Sequence, residues 1–370
     1  MTLIFWQGII SIHQKTFLEA LVKQPTVKKV MMIAENAITP YRQNMGWEVP
    51  EIVGAEVIIA PSHIQIKQLF SDNKDAVHIL GGIRVGKMMT LALEEGARHK
   101  AKMGSLSEPY DRSGIKGLLR DFKYRYLKLF YFKHIDFFLA VGRDGVNTYT
   151  RLGFNPQRVF PWAYFVSVAI ENRYEQQNAA KGVNIIYAGR IEEGKGIYRF
   201  VQQLAQADNK NYVLHIYGGG PQEEILKQYV QENGLNDRVS FFPFLPYKEL
   251  VKQYARYDWV VLPSQKKDGW GVIVSEGLLN GLKGICSNIC GVSWAIKDNY
   301  NGLTFNWAEE GDCKEAIRKM LENKGFANSD EIKTWAHNAL SGEAGAAYYL
   351  KIIDCVYNAK SKPAIPWVDN

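Results

Sequence analysis

Short apolar runs of strand length alternate with helical patterns along most of the chain. In the first half, the strand-like runs are Leu3–Gln7, Val27–Ala34, Ala55–Ala60, Val77–Leu80, Lys100–Leu106 and Ile135–Val141. Helical patterns lie between many of these runs, notably at Ile12–Val22, Met88–Glu95 and Lys116–His134. Because strands that alternate with helices pair in parallel and are covered on both faces, the pattern predicts an α/β fold with parallel sheets.

The alternation is interrupted once and restarts at Val183. The interruption, from Phe165 to Lys181, is polar and has no clear periodicity, so we interpret it as an interdomain linker. A chain of 370 residues is long enough for two domains that each have a core of their own. The pattern therefore predicts an N-terminal domain over residues 1–165 and a C-terminal domain over residues 182–344.

The composition is that of an ordinary globular protein, with 46% hydrophobic and 22% charged residues. The four cysteines form no disulfide framework, and Cys286 and Cys290, which have C-x3-C spacing but no second ligand pair, are expected to be buried thiols in a reducing compartment. Met1 to Ile12 is apolar but lacks a basic start and a cleavage pattern, so it is expected to be the first strand. No run approaches the roughly 20 apolar residues that span a bilayer. The sequence predicts a cytoplasmic protein, either soluble or peripheral on the inner face of the membrane.

The segment D-G-W-G-V-I-V-S-E, from Asp268 to Glu276, holds the most informative chemistry. It follows a strand-like run at Trp259 to Leu262 and is expected to open a helix at about Trp270. Asp268 would then lie on a glycine-containing loop and Glu276 two turns into the helix. Free N–H groups at a helix start suit a phosphate, and nearby carboxylates accept hydrogen bonds from sugar hydroxyls. The segment therefore predicts a nucleotide-sugar site.

A second segment, N-I-I-Y-A-G-R-I-E-E-G-K-G at Asn184 to Gly196, carries two cations on the loop after a strand. Arg190 and Lys195 would stand where open α/β sheets bind ligands, and two fixed cations there suit a diphosphate. Either residue alone is more typical of a solvated surface charge. Together with the Asp268–Glu276 segment, the pair favours a phosphate site.

Six landmarks with the spacing of a known family follow one another from residue 183 to about residue 306. They are Y-A-G-R-I-E-E-G-K-G, I-Y-G-G-G-P, G-L-N-D-R-V-S-F-F-P-F, Y-A-R-Y-D-W-V-V-L-P-S, the Asp268–Glu276 segment and N-G-L at Asn301 to Leu303. This region resembles the donor-binding domain of the retaining glycosyltransferases of family 4 (glycosyl transferases group 1). That resemblance implies the GT-B fold, in which two Rossmann-like doubly wound domains face each other across a cleft. It also implies that the C-terminal helix, within about residues 345–370, packs back on the first domain.

The resemblance further implies roles for individual residues. Arg190, Lys195 and the backbone around Gly271, Val272 and Ile273 would hold the leaving diphosphate. Asp268 stands where the family usually has Glu and would contact the donor sugar. Glu276 would accept hydrogen bonds from the ribose hydroxyls. The other donor-binding positions implied are Gly189, Gly218 and Phe244. The donor would be a UDP- or GDP-sugar, and neither a cofactor nor a metal is expected, since no Asp-x-Asp clamp occurs in the sequence.

The N-terminal domain is expected to bind the acceptor, a glycan or a lipid-linked saccharide. Gly8 would let backbone approach the donor diphosphate, and the resemblance places a glycine-containing loop there. His13, in the first turn of the next helix, either contacts substrate or simply packs. Glu108 follows the fifth strand and either orients an acceptor hydroxyl or is a solvated loop acid.

The stretch Lys116 to Lys133 contains six basic side chains, one acid and six aromatic residues. On a helix, its apolar residues fall on one side, which is expected to cover the sheet, with basic residues grouped on an outer face. With a net charge of +7 and a pI near 9.0, this face favours an anionic membrane surface. Nucleic acid is not favoured, because no recognition motif accompanies the charge.

The resemblance implies a retaining, metal-independent glycosyltransferase, and together with the basic N-terminal domain it favours bacterial surface polysaccharide (O-antigen or capsule) synthesis. Two alternatives remain open. One is a non-catalytic GT-B partner subunit that binds nucleotide sugars or glycans, and the other is a nucleotide-sugar epimerase.

Overall fold

The computed structural model describes residues 1–39, 42–43, 48–83, 86–112, 114–166 and 182–369. These residues form two compact units. The first unit contains the described residues up to 166 together with 340–369, and the second contains 182–339. Most of the predicted linker, residues 167–181, lies outside the described residues.

The first unit is built on a parallel sheet of seven strands in the order β3-β2-β1-β4-β5-β6-β7. The strands are β1 Thr2–Ile9, β2 Lys29–Asn36, β3 Glu56–Ile59, β4 Val77–Gly81, β5 Lys102–Ser107, β6 Phe137–Val141 and β7 Val159–Trp162. The helices between them are α1 Ile12–Val22, α2 His63–Asp72, α3 Lys87–His99, α4 Gly114–Tyr131 and α5 Gly142–Arg151. The order reverses between β1 and β4, the position at which doubly wound sheets bind ligands.

Strand β7 is absent from the sequence prediction, because Pro161 interrupts its apolar run. The sheet tolerates this proline because β7 is an edge strand, where one side of the backbone needs no strand partner.

The C-terminal helix Gly342–Tyr357 belongs to the first unit. Arg158 donates to the carbonyl of Val356 at 2.7 Å, and the Tyr357 hydroxyl donates to Asp136 at 2.8 Å. This helix also packs against α1 through aromatic rings, with Tyr349 edge-on to Phe17 at 5.8 Å. The last part of the chain thus completes the core formed by the first.

The second unit has a parallel sheet of six strands in the order β10-β9-β8-β11-β12-β13. The strands are β8 Val183–Ala188, β9 Tyr212–Tyr217, β10 Val239–Phe242, β11 Trp259–Leu262, β12 Lys283–Ser287 and β13 Gly302–Phe305. Its helices are α6 Ile197–Ala205, α7 Glu223–Glu232, α8 Tyr247–Gln253, α9 Val272–Leu279, α10 Asp312–Glu322 and α11 Ser329–Leu340. The predicted α/β class, with a parallel sheet in each half of the chain, is confirmed.

Helix α4 is turned opposite to the expectation that its apolar side covers the sheet. Its buried residues are Gly117 and Leu127. Seven large apolar residues instead face solvent with exposed fractions between 51% and 78%. This apolar arc of α4 consists of Ile115, Leu118, Leu119, Phe122, Tyr126, Leu129 and Phe130.

The opposite side of α4 anchors the helix because it carries the groups that need partners. The Asp121 carboxylate accepts from the Tyr110 hydroxyl at 2.7 Å and from Arg112 at 3.1 Å. Tyr110 stacks on Tyr124 with ring centroids 4.4 Å apart. At Gly117 the helix lies so close to the segment that precedes it that a Cβ there would be 2.0 Å from the backbone of Arg112. Periodicity alone identifies the apolar side but not these anchors, so the predicted orientation was wrong.

Candidate functional site

The order of strands in the second unit reverses between β8 and β11. From β8 the chain proceeds to β9 and β10 on one side, and then to β11, β12 and β13 on the other. The loops that leave the carboxyl ends of β8 and β11 therefore diverge from neighbouring positions and leave a crevice between them. These two loops carry Lys195 and Asp268.

Lys195 and Asp268 form an ion pair that joins the two loops. The Lys195 ammonium lies 2.5 Å from Oδ2 of Asp268, and the Ser264 hydroxyl lies 3.4 Å from the same oxygen. The side chains are 28% and 19% exposed, so the pair is partly screened from water but reachable. The structure thus brings together a predicted phosphate ligand and a predicted sugar ligand.

The backbone of the two loops is also tied together. The N–H groups of Gln265 and Lys266 both donate to the carbonyl of Gly194, at 2.9 and 3.1 Å. Gly196, between the short turn Glu193–Lys195 and α6, has a φ of +70°. A Cβ there would lie 2.0 Å from the carbonyl oxygen of Pro263. Glycine at this position lets the two loops approach closely enough for the Lys195–Asp268 contact.

Arg190 lies on the first of the two loops, and its guanidinium is paired within that loop. Its Nη2 lies 2.6 Å from Oε1 of Glu192, and its backbone carbonyl accepts a hydrogen bond from the Tyr187 hydroxyl at 2.5 Å. The two predicted cations are therefore both present, and each has a carboxylate partner. A phosphate that enters the crevice would share these cations with Glu192 and Asp268.

Helix α9 begins at Val272, two residues later than expected, with Gly271 as its N-cap at a φ of +99°. The preceding residues are held in the loop because the Trp270 indole donates to the Ser275 hydroxyl at 2.9 Å and its carbonyl accepts from Val292. The N–H groups of Val272 and Ile273 belong to the first turn, where intrahelical acceptors are lacking. They form the anion-attracting end of α9.

Glu276 is one turn into α9, not two, and its carboxylate is buried at 4% exposure. The hydroxyl of the fully buried Tyr254 donates to its Oε2 at 2.7 Å. Burial raises the pKa of Glu276 from 4.5 to about 7, against the hydrogen bond from Tyr254, which lowers it. The folded chain thus keeps this proton up to about pH 7, whereas the unfolded chain releases it near 4.5. The free energy of unfolding contributed by Glu276 therefore falls as the pH rises through that window.

The remaining donor-side positions cluster at the ends of β8 and β9. Gly189 donates to the carbonyl of Tyr217 at 2.9 Å. A Cβ on Gly218 would lie 1.9 Å from the carbonyl oxygen of Gly189 and 3.4 Å from the ring of Phe244. The half-buried Phe244 ring thus lies beside a strip of bare backbone, an arrangement that offers an apolar surface to a flat ring system.

The predicted acceptor residues lie in the first unit. Gly8 is still part of strand β1, not of a loop, because pairing with β2 continues to Ile9. A Cβ on Gly8 would meet no atom within 4 Å, so this edge of the strand is open. The backbone N–H of His13 lies 3.4 Å from Oγ of Ser11, the N-cap of α1.

His13 and Glu108 are linked through Tyr164, which the sequence analysis missed. The Tyr164 hydroxyl donates to Glu108 Oε1 at 2.6 Å, and its ring centroid lies 6.2 Å from that of His13. Burial, with the positive charge of Arg42, lowers the pKa of His13 to about 4, so its imidazole is neutral at neutral pH. Tyr164 lies two residues after the end of β7, and recognition of that strand would have placed it at the same sheet edge.

Two further contacts of the second unit were also missed. Glu192 could have been suspected from its spacing of two from Arg190. Tyr254 lies within a recognised landmark, but sequence spacing gives no indication that it reaches Glu276.

Among the described residues, no group of three or more His, Cys, Asp or Glu side chains is arranged to hold a metal ion. Nor is any helix in that part of the chain long and apolar enough to cross a membrane.

Comparison with known proteins supports the resemblance. Residues 169–339 match the family model described as "Glycosyl transferases group 1". Over 164 residues the chain is 25% identical to the D-inositol 3-phosphate glycosyltransferase of Nocardia farcinica, an alignment that covers 42% of this chain and 36% of that protein. The chain thus spans well under half the length of that relative. The recognition of a group 1 glycosyl transferase segment is confirmed, while its assignment to family 4 stays a prediction.

Solved structures are similar over nearly the whole chain. Anabaena Alr3699/HepE, solved in complex with UDP, superposes with a TM-score of 0.72 over 96% of this chain and 100% of that one, at 12% identity. The lipopolysaccharide outer core galactosyltransferase WaaB, solved in its apo form, gives a TM-score of 0.67 over 96% and 99%, at 14% identity. At such identities the likeness shows the fold alone. The predicted GT-B class, with two Rossmann-like domains, is confirmed.

Proposed function

We propose that this chain is a glycosyltransferase that moves a sugar from a nucleotide-diphosphate sugar to a hydroxyl group of a glycan or lipid-linked saccharide. The observation that carries the proposal is the Lys195–Asp268 pair, which joins the loops after β8 and β11 at the reversal of strand order. Lys195 suits the diphosphate of a nucleotide sugar, and Asp268 can accept hydrogen bonds from the hydroxyl groups of its sugar. Both side chains lie at one crevice, where such a donor would bind.

On this proposal, the cations of the crevice stabilise the diphosphate as it leaves. Lys195 and Arg190 contact its oxygens, and the N–H groups at the start of α9 add fixed dipoles. Asp268 accepts from the hydroxyls of the donor sugar. The base lies against Phe244. Since the two cations and the helix end supply the positive field, the proposed reaction requires no metal. On the family resemblance, we propose that the transferred sugar keeps its anomeric configuration.

In the first unit, Glu108 is the proposed ligand of an acceptor hydroxyl. Its carboxylate is exposed and already accepts one hydrogen bond from Tyr164, which fixes its orientation. His13 is neutral near pH 7 and therefore accepts or donates a hydrogen bond without adding charge.

The proposed setting is bacterial surface polysaccharide assembly in the cytoplasm, with UDP- or GDP-sugars as donors. Two structural relatives support UDP and a saccharide product, since one was solved with UDP and another is named for lipopolysaccharide synthesis. A non-catalytic partner subunit and a nucleotide-sugar epimerase remain the competing functions.

A product assay separates these three functions. The protein is incubated with radiolabelled UDP- and GDP-sugars, with and without a lipid-saccharide extract from bacterial membranes. A transferase releases nucleoside diphosphate and labels the extract, and the labelling depends on the extract. Conversion of the donor sugar to its epimer without release of nucleotide would identify an epimerase. If donor binds but neither product forms, the proposed activity is wrong and the partner-subunit function stands.

We expect Tyr254→Phe to shift the pH dependence of nucleotide binding. The proposed contact with ribose hydroxyls needs Glu276 ionised, so affinity should rise as the pH increases through about 7. Without the Tyr254 hydroxyl, the carboxylate loses a hydrogen bond that stabilises its charge, and its pKa rises further. The affinity of the variant should therefore be reduced near pH 7 and recover at higher pH, as measured by calorimetric titration across pH.

Tyr212→Phe is the control for this prediction. It removes another buried hydroxyl, one that lies 3.4 Å from the carbonyl of Leu204 and away from Glu276. The control should keep the wild-type pH midpoint. An unshifted midpoint in Tyr254→Phe would show that Glu276 does not contact the nucleotide as an ionised group.

A further inference from the structure

The apolar arc of α4 forms a continuous stripe along the helix. With about 100° of rotation per residue, its seven members fall within about 120° of the helix circumference. They occupy successive turns from Ile115 to Phe130, so the stripe runs the length of the helix. The exposed residues of this stripe include two phenylalanines and a tyrosine, a composition that is rare on a surface with no partner.

Basic side chains border the arc on both sides. Lys116 and Lys123 are exposed along one border, and Arg125 is exposed along the other. The sole acid of the helix, Asp121, faces the anchored side, where it holds Tyr110 and Arg112, and its Oδ2 also lies 3.4 Å from Nε of Arg125. The exposed face of α4 therefore presents apolar side chains along its middle and positive charge along its edges.

We propose that α4 lies in the plane of an anionic lipid bilayer, with its apolar arc inserted among the acyl chains and its bordering Lys and Arg side chains at the headgroups. Helices that bind in this way have one apolar face with aromatic residues and a Lys- and Arg-rich polar face. The charges add attraction to an anionic leaflet, and the long side chains of Lys and Arg reach the headgroups while their stems stay in apolar surroundings.

The charge distribution favours a bilayer over a second copy of the chain. A symmetric pairing of two α4 helices through the arc would bring Lys116, Lys123 and Arg125 of one copy near the same cations of the other. Arg125 is already compensated by Asp121, whose Oδ2 lies 3.4 Å from its Nε, but α4 carries no second acid that could pair with Lys116 or Lys123. An anionic leaflet supplies the opposite charge at both borders. This inference goes beyond the proposed function, because vesicle binding depends on α4 and not on the donor site.

Sedimentation with lipid vesicles tests the inference on the full chain. Vesicles of phosphatidylglycerol with phosphatidylethanolamine are compared with vesicles of pure phosphatidylcholine. The wild type should bind the anionic vesicles and retain part of this binding at raised salt, because insertion of apolar side chains is not screened. Leu118→Ser with Phe122→Ser should weaken binding by about tenfold or more.

A matched control is available in the same unit. Ile64 and Val53 are as exposed as the arc residues, at 70% and 63%, but lie outside α4. Ile64→Ser with Val53→Ser should leave vesicle binding unchanged. A second arc variant, Leu129→Ser with Phe130→Ser, repeats the test if the first does not fold.

Three results would overturn the inference. The first is that the wild type does not bind anionic vesicles, and the second is that the control variant loses as much vesicle binding as the arc variants. The third is that light scattering shows a dimer that the arc variants dissociate, while neither the wild type nor any variant binds vesicles. The last result would assign the arc to a second copy.

Discussion

Lys195→Ala is expected to reduce donor turnover by about 100-fold to 1,000-fold. The substitution removes a charge-assisted contact to the diphosphate and leaves Asp268 unpaired, since the ammonium lies 2.5 Å from that carboxylate. The exposed anion would then repel the phosphate that the cation attracted. Because the pair is partly solvated, the free energy of unfolding should change by only about 1 kcal/mol. Initial rates with a UDP- or GDP-sugar and a chemical unfolding curve measure the two effects.

Lys266→Ala is the matched control for Lys195→Ala. Lys266 lies on the same loop as Asp268, and its ammonium is 3.9 Å from Glu193, but both side chains are largely solvated. Its removal changes the net charge by the same amount and should leave turnover within about threefold. Similar losses in the two variants would indicate a general effect of charge and would contradict the role given to Lys195.

Gly196→Ala is expected to destabilise the second unit by about 2–4 kcal/mol and to reduce donor binding. A side chain at a φ of +70° costs about 1 kcal/mol, and its Cβ would lie 2.0 Å from the Pro263 carbonyl oxygen. Relief of that contact must move one loop away from the other, at a further cost of about 1–3 kcal/mol. The movement would also separate Lys195 from Asp268. Thermal or urea unfolding, followed by nucleotide titration, checks both effects.

Gly234→Ala separates the two parts of this cost. Gly234 has a φ of +62°, close to that of Gly196, but a Cβ there would meet nothing within 4 Å. We expect only the backbone cost of about 1 kcal/mol and unchanged nucleotide binding. If the two variants are equally stable, the close approach of the loops does not constrain the site.

The fold and the positions of the donor-side residues could be predicted because they depend on local patterns. Alternating strands and helices define the two sheets, and polar residues after β8 and β11 are necessarily neighbours where the strand order reverses. The family resemblance assigns Lys195 and Asp268, 73 positions apart in sequence, to one site, and the reversal of strand order explains why they meet.

The features that were missed depend on tertiary contacts. The burial of Glu276 and its hydrogen bond with Tyr254 follow from the packing of α9, not from spacing. The pairing of Arg190 with Glu192 is a choice of rotamer. The orientation of α4 is set by Asp121 and Gly117, whose partners lie elsewhere in the chain. A hydrophobic period identifies an apolar face but does not show whether the fold buries it.

Calorimetric titration of UDP, GDP, ADP and CMP into wild-type protein, Lys195→Ala and Lys266→Ala tests the central claim most directly. The donor site predicts that one nucleoside diphosphate binds the wild type and Lys266→Ala alike, with affinity for Lys195→Ala at least about tenfold weaker. If that nucleotide binds all three proteins with the same affinity, the diphosphate does not lie at Lys195. If none of the four nucleotides binds the wild-type protein, the proposed donor site itself is contradicted.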